Sequence, residues 1–402
     1  MLAPLSLTPS FGFGDRLGLA TPGHIAAVEE IYLAPVFAQQ SVRENARTGR
    51  TPRQVLDDAA RAVEACDWGL PWGADADHLK SLGDLEPFVA AGYTFFTVDP
   101  SGHIDHETDA LPESALADRL ESLPWDALQT TPADLRQCYG PPITLQGLQL
   151  AFDEAGLLRT ALKYGRAIAH VKRFYARLVQ LKGHVFDFEV SIDETERPTS
   201  AEEHFFVASE LRRLGVRFTS LAPHFVGRFE KGMDYLGDLQ TLEADLARHA
   251  AVQRAIGDYK LSLHSGSDKL SVYPILKRLT GGLLHVKTAG TSYLEALRVV
   301  AEIDPYLFRK VLDLARFNYE DERRTYHVSA EAEKVPPAQE LRDADLPALL
   351  DDFHARQVLH VTFGTVLEYF GPDLRQLLIA NQMLYTAALK SHFRRHLELL
   401  TL

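Results

Sequence analysis

The sequence predicts a (β/α)8 barrel of the TIM type, with a helical insertion and a helical C-terminal extension. Three observations predict it. Eight short strand-like runs alternate with longer stretches of helical periodicity. Several runs place polar residues on one face and apolar residues on the other. Histidines recur near the C-terminal ends of the runs, which in a barrel meet in one rim.

The first run lies within residues 10–19 (SFGFGDRLGL). Its FGFG fragment lacks the third glycine and the preceding apolar strand of a dinucleotide fingerprint. Asp15 and Arg16 at its end are expected to form an ion pair. The second run is residues 35–40 (PVFAQQ), followed by a polar loop carrying Gln39, Gln40, Arg43 and Asn45. These side chains suit a polyol or a carboxylate, and equally an ordinary solvated loop. The third run, residues 72–78 (WGADADH), is weakly apolar and ends on Asp77 and His78. A carboxylate beside an imidazole suits a base next to a metal ligand if the backbone turns there; otherwise it is an Asx-turn with a surface histidine. The fourth run, residues 93–99 (YTFFTVD), leads into Asp99, His103 and His106, which suit ligands or plain surface.

Residues 101–183 are too long for one crossover. A small helical insertion followed by a long helix from about Phe152 to Leu181 is expected there. The fifth run, residues 185–193, sets Phe186, Phe188, Val190 and Ile192 against Asp187, Glu189, Ser191 and Asp193. Four polar residues pointing one way line a site or face water. The sixth, residues 218–225, carries His224 near its end. The seventh begins KLSLHSGSDK: Leu261 and Leu263 share one face, Ser262 and His264 the other. Gly266 is expected to supply a positive φ in the turn that follows, and Lys269 a mobile positive charge. The eighth, residues 283–288 (LLHVKT), puts His285 and Lys287 on one face. A helix opens after it, with Thr291 or Ser292 as N-cap or with free backbone N–H groups for an anion.

The intervening helices carry their own signals. Thr51 precedes Pro52, Ser200 and Glu203 form a capping box, Gly215 stands where a C′ glycine belongs, and 238–255 is amphipathic. Residues 304–402 read as mostly helical, with HVTFGTV (360–366) as a strand-like or buried run inside them. The whole chain, 1–402, is expected to form one barrel domain with these two additions.

Composition narrows the function. The 402 residues are 46% hydrophobic and 24% charged, a globular balance with room for a large core. A net charge of −13 counts against nucleic acid as the main partner. Cys66 and Cys138 offer neither a disulfide framework nor a cysteine metal site, which predicts a reducing, cytoplasmic setting. The first residues lack a basic segment and a long apolar core, so no signal peptide is expected. No apolar run reaches the ~18 residues of a membrane span. The expected partner is a small molecule, and a homo-oligomer is left open.

His78, His264 and His285, from three strand ends, suit a catalytic Zn²⁺, Mn²⁺, Co²⁺ or Ni²⁺ with one position open. No local HExxH-type spacing accompanies them.

Six stretches in order, GFGDRLGLATPGH, FAQQSVRENARTGR, GADADH, FDFEVSIDETERPTS, LHSGSDK and HVKTAGTSYLEA, resemble the tagaturonate/fructuronate epimerase family, hexuronate epimerases of bacterial pectin-sugar catabolism. The resemblance covers nearly the whole chain; some family members carry an additional N-terminal segment. It implies a divalent metal and interconversion of D-tagaturonate and D-fructuronate. It also implies Asp77 as general base, Glu189 as acid, and His78 and His264 as metal ligands. His285 is added as third ligand from strand facing, and His224 is expected to vary. The two ketouronates differ at the ketose C4, which the ketone does not activate for enolisation. Retro-aldol cleavage of C3–C4, rotation of the aldehyde and re-formation invert it. Gln39, Arg43, Lys269 and Lys287 are candidates for holding the substrate, the cations for its carboxylate. Rival readings are a neutral-ketose 4-epimerase acting on fructose and tagatose, a metal-dependent aldolase, and a non-catalytic sugar-acid binding protein.

Overall fold

The computed structural model describes residues 1–145 and 147–401. Eight parallel strands close into a barrel: β1 Ser10–Gly14, β2 Ala34–Ser41, β3 Gly73–Leu79, β4 Phe95–Val98, β5 Asp187–Ile192, β6 Ser220–Pro223, β7 Lys260–Leu263 and β8 Leu284–Thr288, which returns to pair with β1. Each strand lies inside one of the eight runs or extends beyond it by no more than a single residue at either end. Alternation explains the agreement. On β5, Phe188, Val190 and Ile192 pack outward into the main core, while the polar residues face the lumen.

The N-terminal end of the lumen is plugged. Leu5 packs with Val36 and Phe95. Asp187 accepts hydrogen bonds from the backbone N–H groups of Leu5 (2.5 Å) and Ser6 (2.9 Å). Lys260 donates to the Thr8 carbonyl at 3.2 Å and to Ser10 Oγ at 2.9 Å. Three of the strands' first residues therefore hold the segment that closes the floor.

The helices start as their caps dictate. Thr51 and Ser200 each cap through a reciprocal box, with Gln54 and Glu203 respectively. Between β4 and β5 lie short helices, then the 29-residue helix Glu154–Lys182. The insertion also holds a two-stranded antiparallel hairpin, Ile143–Leu145 with Leu148–Leu150, that the sequence did not predict. Three-residue strands are too short to show a period; Leu150 is fixed by packing on Ala201 and Val252.

In the tail, the buried alternative for residues 360–366 is the one that holds. Residues 360–366 are not a strand: they run from the end of helix Phe353–Val361 into helix Phe363–Ala380. Burial on nearly all sides, rather than strand pairing, accounts for the apolar run. The last helix, Gln382–Leu400, lies on helix Thr21–Val28. A Cβ on Gly23 would sit 2.5 Å from Leu389 Cβ, so only glycine permits this approach. Phe393 then packs edge-on against Phe13, 5.1 Å between centroids, covering the outer face of β1. Among the described residues no helix is long and apolar enough to cross a membrane.

The same helix is fastened to the loop after β7 by buried charge. Asp268 accepts from Arg356 Nη2 and from His392 Nε2, both at 2.8 Å. His392 Nδ1 lies 3.1 Å from Glu295 Oε1 and 2.9 Å from the guanidinium of the exposed Arg395. Burial pulls the His392 imidazolium down, but the two buried carboxylates outweigh it and lift it to about 9. The stabilisation from this proton is therefore complete below about pH 6.5 and lost as pH rises through about 9. It is roughly 3 kcal/mol. Urea unfolding between pH 6 and 10 is expected to show this loss, and His392→Gln, which binds no proton there, is expected to reduce it by roughly that 3 kcal/mol, leaving the shares of the other raised imidazoles.

Candidate active site

The polar groups gather at the C-terminal mouth. Lys287, on β8, is the hub. Its ammonium lies 2.6 Å from Asp75 Oδ2, 2.8 Å from Asp77 Oδ1 and 2.8 Å from Glu189 Oε1, and it also donates to Thr97 Oγ1. All four partners point inward from β3, β4 and β5. Burial alone would strip Lys287 of its proton, yet three carboxylates hold it well above the ordinary lysine range. Asp75 is pushed up by burial to about 6. Asp77 resists burial and stays well below the usual carboxylate range through His78 and Lys287. Glu189 does the same through Lys287 and His264.

Adjacent residues serve one site because β3 bulges. Its pairing with β4 shifts between Ala76 and Leu79, and His78 takes φ 52°. His78 Nδ1 consequently meets Asp77 Oδ1 at 2.8 Å. Across the mouth, His264 Nε2 meets Glu189 Oε1 at 2.7 Å. The remaining nitrogens converge: His78 Nε2 is 3.9 Å from Asp193 Oδ1, and His264 Nδ1 is 3.4 Å from Asp193 Oδ2. One ligand atom from each of these residues lies within 4.8 Å of the others. His264 Nδ1 is buried without a hydrogen-bond partner among the described residues. Burial lowers both imidazoles, but Asp77 raises His78 to about 9, and Asp193 with Glu189 raises His264 to about 10.

Several expected positions fall elsewhere. His285 pairs in register with Ser262, two residues below His264, and its Nδ1 is bound to Ser10 Oγ at 2.9 Å. Strand facing was read correctly, but the layer was wrong, and Asp193 stands where a third imidazole was expected. Lys287 is saturated by carboxylates and so is not a receiver of another one. Lys269 is turned away, donating to the carbonyls of Glu230 (2.8 Å), Ser267 (3.1 Å) and Met233. Gln39 crosses Gly12, whose Cβ would lie 1.6 Å from Gln39 Oε1, and donates to the Thr288 carbonyl at 3.0 Å. Its Oε1 is a buried acceptor with no partner among the described residues. The Arg43 guanidinium lies 4.8 Å over the Tyr326 ring. Glu189 has both oxygens occupied, the second by Ser220 Oγ at 2.6 Å, with Lys287 and His264 holding its carboxyl well below the usual range.

Further details differ. Arg16 pairs with Glu44 at 3.0 Å, while Asp15 caps its own turn through the N–H groups of Leu17, Gly18 and Ala20. Neither Thr291 nor Ser292 is an N-cap: Gly290 occupies that place at φ 83°. A Cβ there would meet His360 Cε1 at 2.4 Å and Arg16 Nη1 at 2.8 Å, so the helix start is covered. Gly266 has no positive φ; Ser265 (51°) and Asp268 (61°) do. Gly266 is required by contact, since a Cβ would lie 2.5 Å from Val286 Cγ1. His224 is held by the Thr195 carbonyl at 2.9 Å and His103 stacks on His170 at 4.0 Å, both outside the cluster. Asp99 pairs with Lys80 at 3.0 Å and, with His78 and Glu194, forms a second group whose ligand atoms lie within 4.8 Å of one another. Asp75 and Thr97 were missed, although a period of two back from Asp77 marks Asp75. Lys231, on the loop after β6, carries no periodic signal.

Comparison with known proteins gives concordant matches. A family model described as tagaturonate epimerase matches residues 3–400. A tagaturonate/fructuronate epimerase of Thermotoga maritima is 46% identical over 396 residues, 98% of this chain and 81% of that protein. A glycerol-complexed fructuronate-tagaturonate epimerase from Cohnella laeviribosi superposes with a TM-score of 0.94 at 39% identity, over 100% of this chain and 83% of that one. The native crystal structure of the epimerase from that organism gives a TM-score of 0.93 at 40% identity, covering 98% and 81%.

Proposed function

The chain belongs to the tagaturonate epimerase family, and from that premise we propose that it interconverts D-tagaturonate and D-fructuronate, with a divalent metal ion, by retro-aldol cleavage and re-formation of C3–C4. The enzyme is an epimerase of the isomerase class. One observation carries the metal reading. Each of His78 and His264 anchors one ring nitrogen on a carboxylate and turns the other toward Asp193. Carboxylate–imidazole pairs of this kind fix tautomer and orientation in metal sites. Two imidazoles and a carboxylate leave open positions for substrate oxygens. The buried, unbonded Nδ1 of His264 fits the same set.

His78, His264 and Asp193 would hold the ion, and it supplies Lewis-acid stabilisation of the charge that develops on the ketone-bearing fragment. Asp77 takes the C4 hydroxyl proton. It is ionised through the working range, so its accepting form is always present. Lys287 keeps Asp75, Asp77 and Glu189 charged and fixed, and Thr97 orients two of them, with Oγ1 2.9 Å from Asp75 Oδ1 and 3.3 Å from Glu189 Oε1. Glu189 orients His264. The freed aldehyde turns and re-forms the bond on its other face, and a mouth lined by fixed groups keeps the fragments together.

The test is turnover of D-fructuronate, followed by NMR, with protein stripped of metal and reloaded with Mn²⁺, Zn²⁺, Co²⁺ or Ni²⁺. Tagaturonate is expected with at least one metal and not with the stripped protein. Equal turnover without metal would overturn the metal reading; conversion of fructose but not fructuronate would move the substrate to neutral ketoses.

A further inference from the structure

Among the described residues, Lys231 is a cation at the mouth that meets a hydroxyl and no carboxylate within salt-bridge distance. Lys287 faces three carboxylates and Lys269 three backbone carbonyls. Lys231 is half-buried, and its ammonium donates to Ser265 Oγ at 2.8 Å. Ser265 directly follows His264, so this contact sets the charge beside the proposed metal ligands.

The loop that carries Lys231 is clamped on both sides of it. Lys269 holds the carbonyls of Glu230 and Met233, and Arg356 Nε holds that of Gly232 at 2.7 Å. Glu230 Oε2 accepts from Ser329 N–H (2.9 Å), Ser329 Oγ (2.8 Å) and Gln357 Nε2 (2.8 Å). Asp234 Oδ1 accepts from Ser271 Oγ at 2.8 Å. The residue before Lys231 and the three after it are thus tied to the scaffold by backbone or side chain. A charge presented on a rigid mount beside a reaction centre is suited to fixing a ligand.

We propose that Lys231, with Ser265 beside it, receives the carboxylate of the sugar acid and so selects uronates over neutral ketoses. The proposal rests on the epimerase reading above. A bound carboxylate would complete the hydrogen bonding of an ammonium that now meets one hydroxyl, a charge-assisted bond of the stronger kind. The electrostatics agree: burial and then Arg43 push the Lys231 ammonium down, while Glu44, Asp193 and Asp77 hold it up. A further negative group at that position opposes the burial and the Arg43 charge. Lys269 then has a role the sequence did not suggest, as a positioning residue that staples the loop.

The test measures binding rather than turnover, so the two readings fail separately. Metal-loaded wild type, Lys231→Met and Lys231→Gln are titrated calorimetrically with D-gluconate and with D-glucitol, the same chain without a carboxylate. The wild type is expected to prefer gluconate. In both variants, with folding checked by circular dichroism, that preference is expected to fall about 30-fold, or about 2 kcal/mol. Either folded variant keeping the preference, or a wild type showing none, overturns the assignment of Lys231. Fructuronate turnover by the wild type is read separately, and its absence strikes the reaction, not the cation.

Discussion

Asp77→Asn is expected to lower kcat by about 1,000-fold with little change in KM, since a positioned general base contributes roughly two to four orders of magnitude. The substitution is nearly isosteric. The amide oxygen of the variant still accepts from Lys287 and from a protonated His78 Nδ1, the contacts Asp77 makes at 2.8 Å each. Lys287 keeps Asp75 and Glu189, so its charge stays compensated. What disappears is the capacity to take a proton from the C4 hydroxyl. Steady-state kinetics on D-fructuronate checks the outcome, with bound metal measured in the same samples. Full activity with metal retained would remove Asp77 from the chemistry. Loss of metal together with activity would show that Asp77 acts chiefly by orienting His78.

Lys287→Met is expected to cost about 3–5 kcal/mol of folding stability, the range for removing one partner from a buried ion network. The side chain is 4% exposed, and two of its three carboxylate partners are 0% exposed. Without the ammonium, Asp75, Asp77 and Glu189 become buried anions facing each other, and their folded-state proton affinities rise. The penalty is then largest at neutral pH and shrinks as the carboxylates take up protons. Urea unfolding at pH 7 and pH 5 is the measurement, and the gap to wild type is expected to narrow at the lower pH. A gap independent of pH would mean that lost packing, not uncompensated charge, dominates. A stable, active variant would end the view of Lys287 as the hub.

The barrel was legible because it is written in alternation. Glu189 among Phe188 and Val190, or His264 after Leu261 and Leu263, announces which face each residue takes. The depth of a residue in the lumen is not written that way. Register between β7 and β8 is a property of pairing, so His285 looked equivalent to His264 although it lies a layer lower. Local geometry hid two further points. The bulge that turns His78 beside Asp77 leaves no period, and the loop that delivers Lys231 has none. Charge alone also misled: Lys269 and Lys287 are cations near the rim, but what each one meets is decided by partners distant in sequence, Glu230 for one and Asp75 for the other. The hairpin at 143–150 was missed for a simpler reason, since its strands are three residues each.

The seating of the last helix bears on how the chain comes to be folded as it is made. β1 and its barrel neighbour β8 are separated by some 275 residues, as the Ser10–His285 contact measures. The outer aromatic face of β1 waits longer still, until Phe393 emerges. Until then the outer face that Phe11 and Phe13 present lacks this cover, and contacts this distant in sequence are slow to form. During synthesis the β1–β8 seam therefore cannot form before β8 has emerged, long after β1. A chain with this seam unclosed exposes apolar surface that the finished barrel buries, which is the kind of state prone to aggregation.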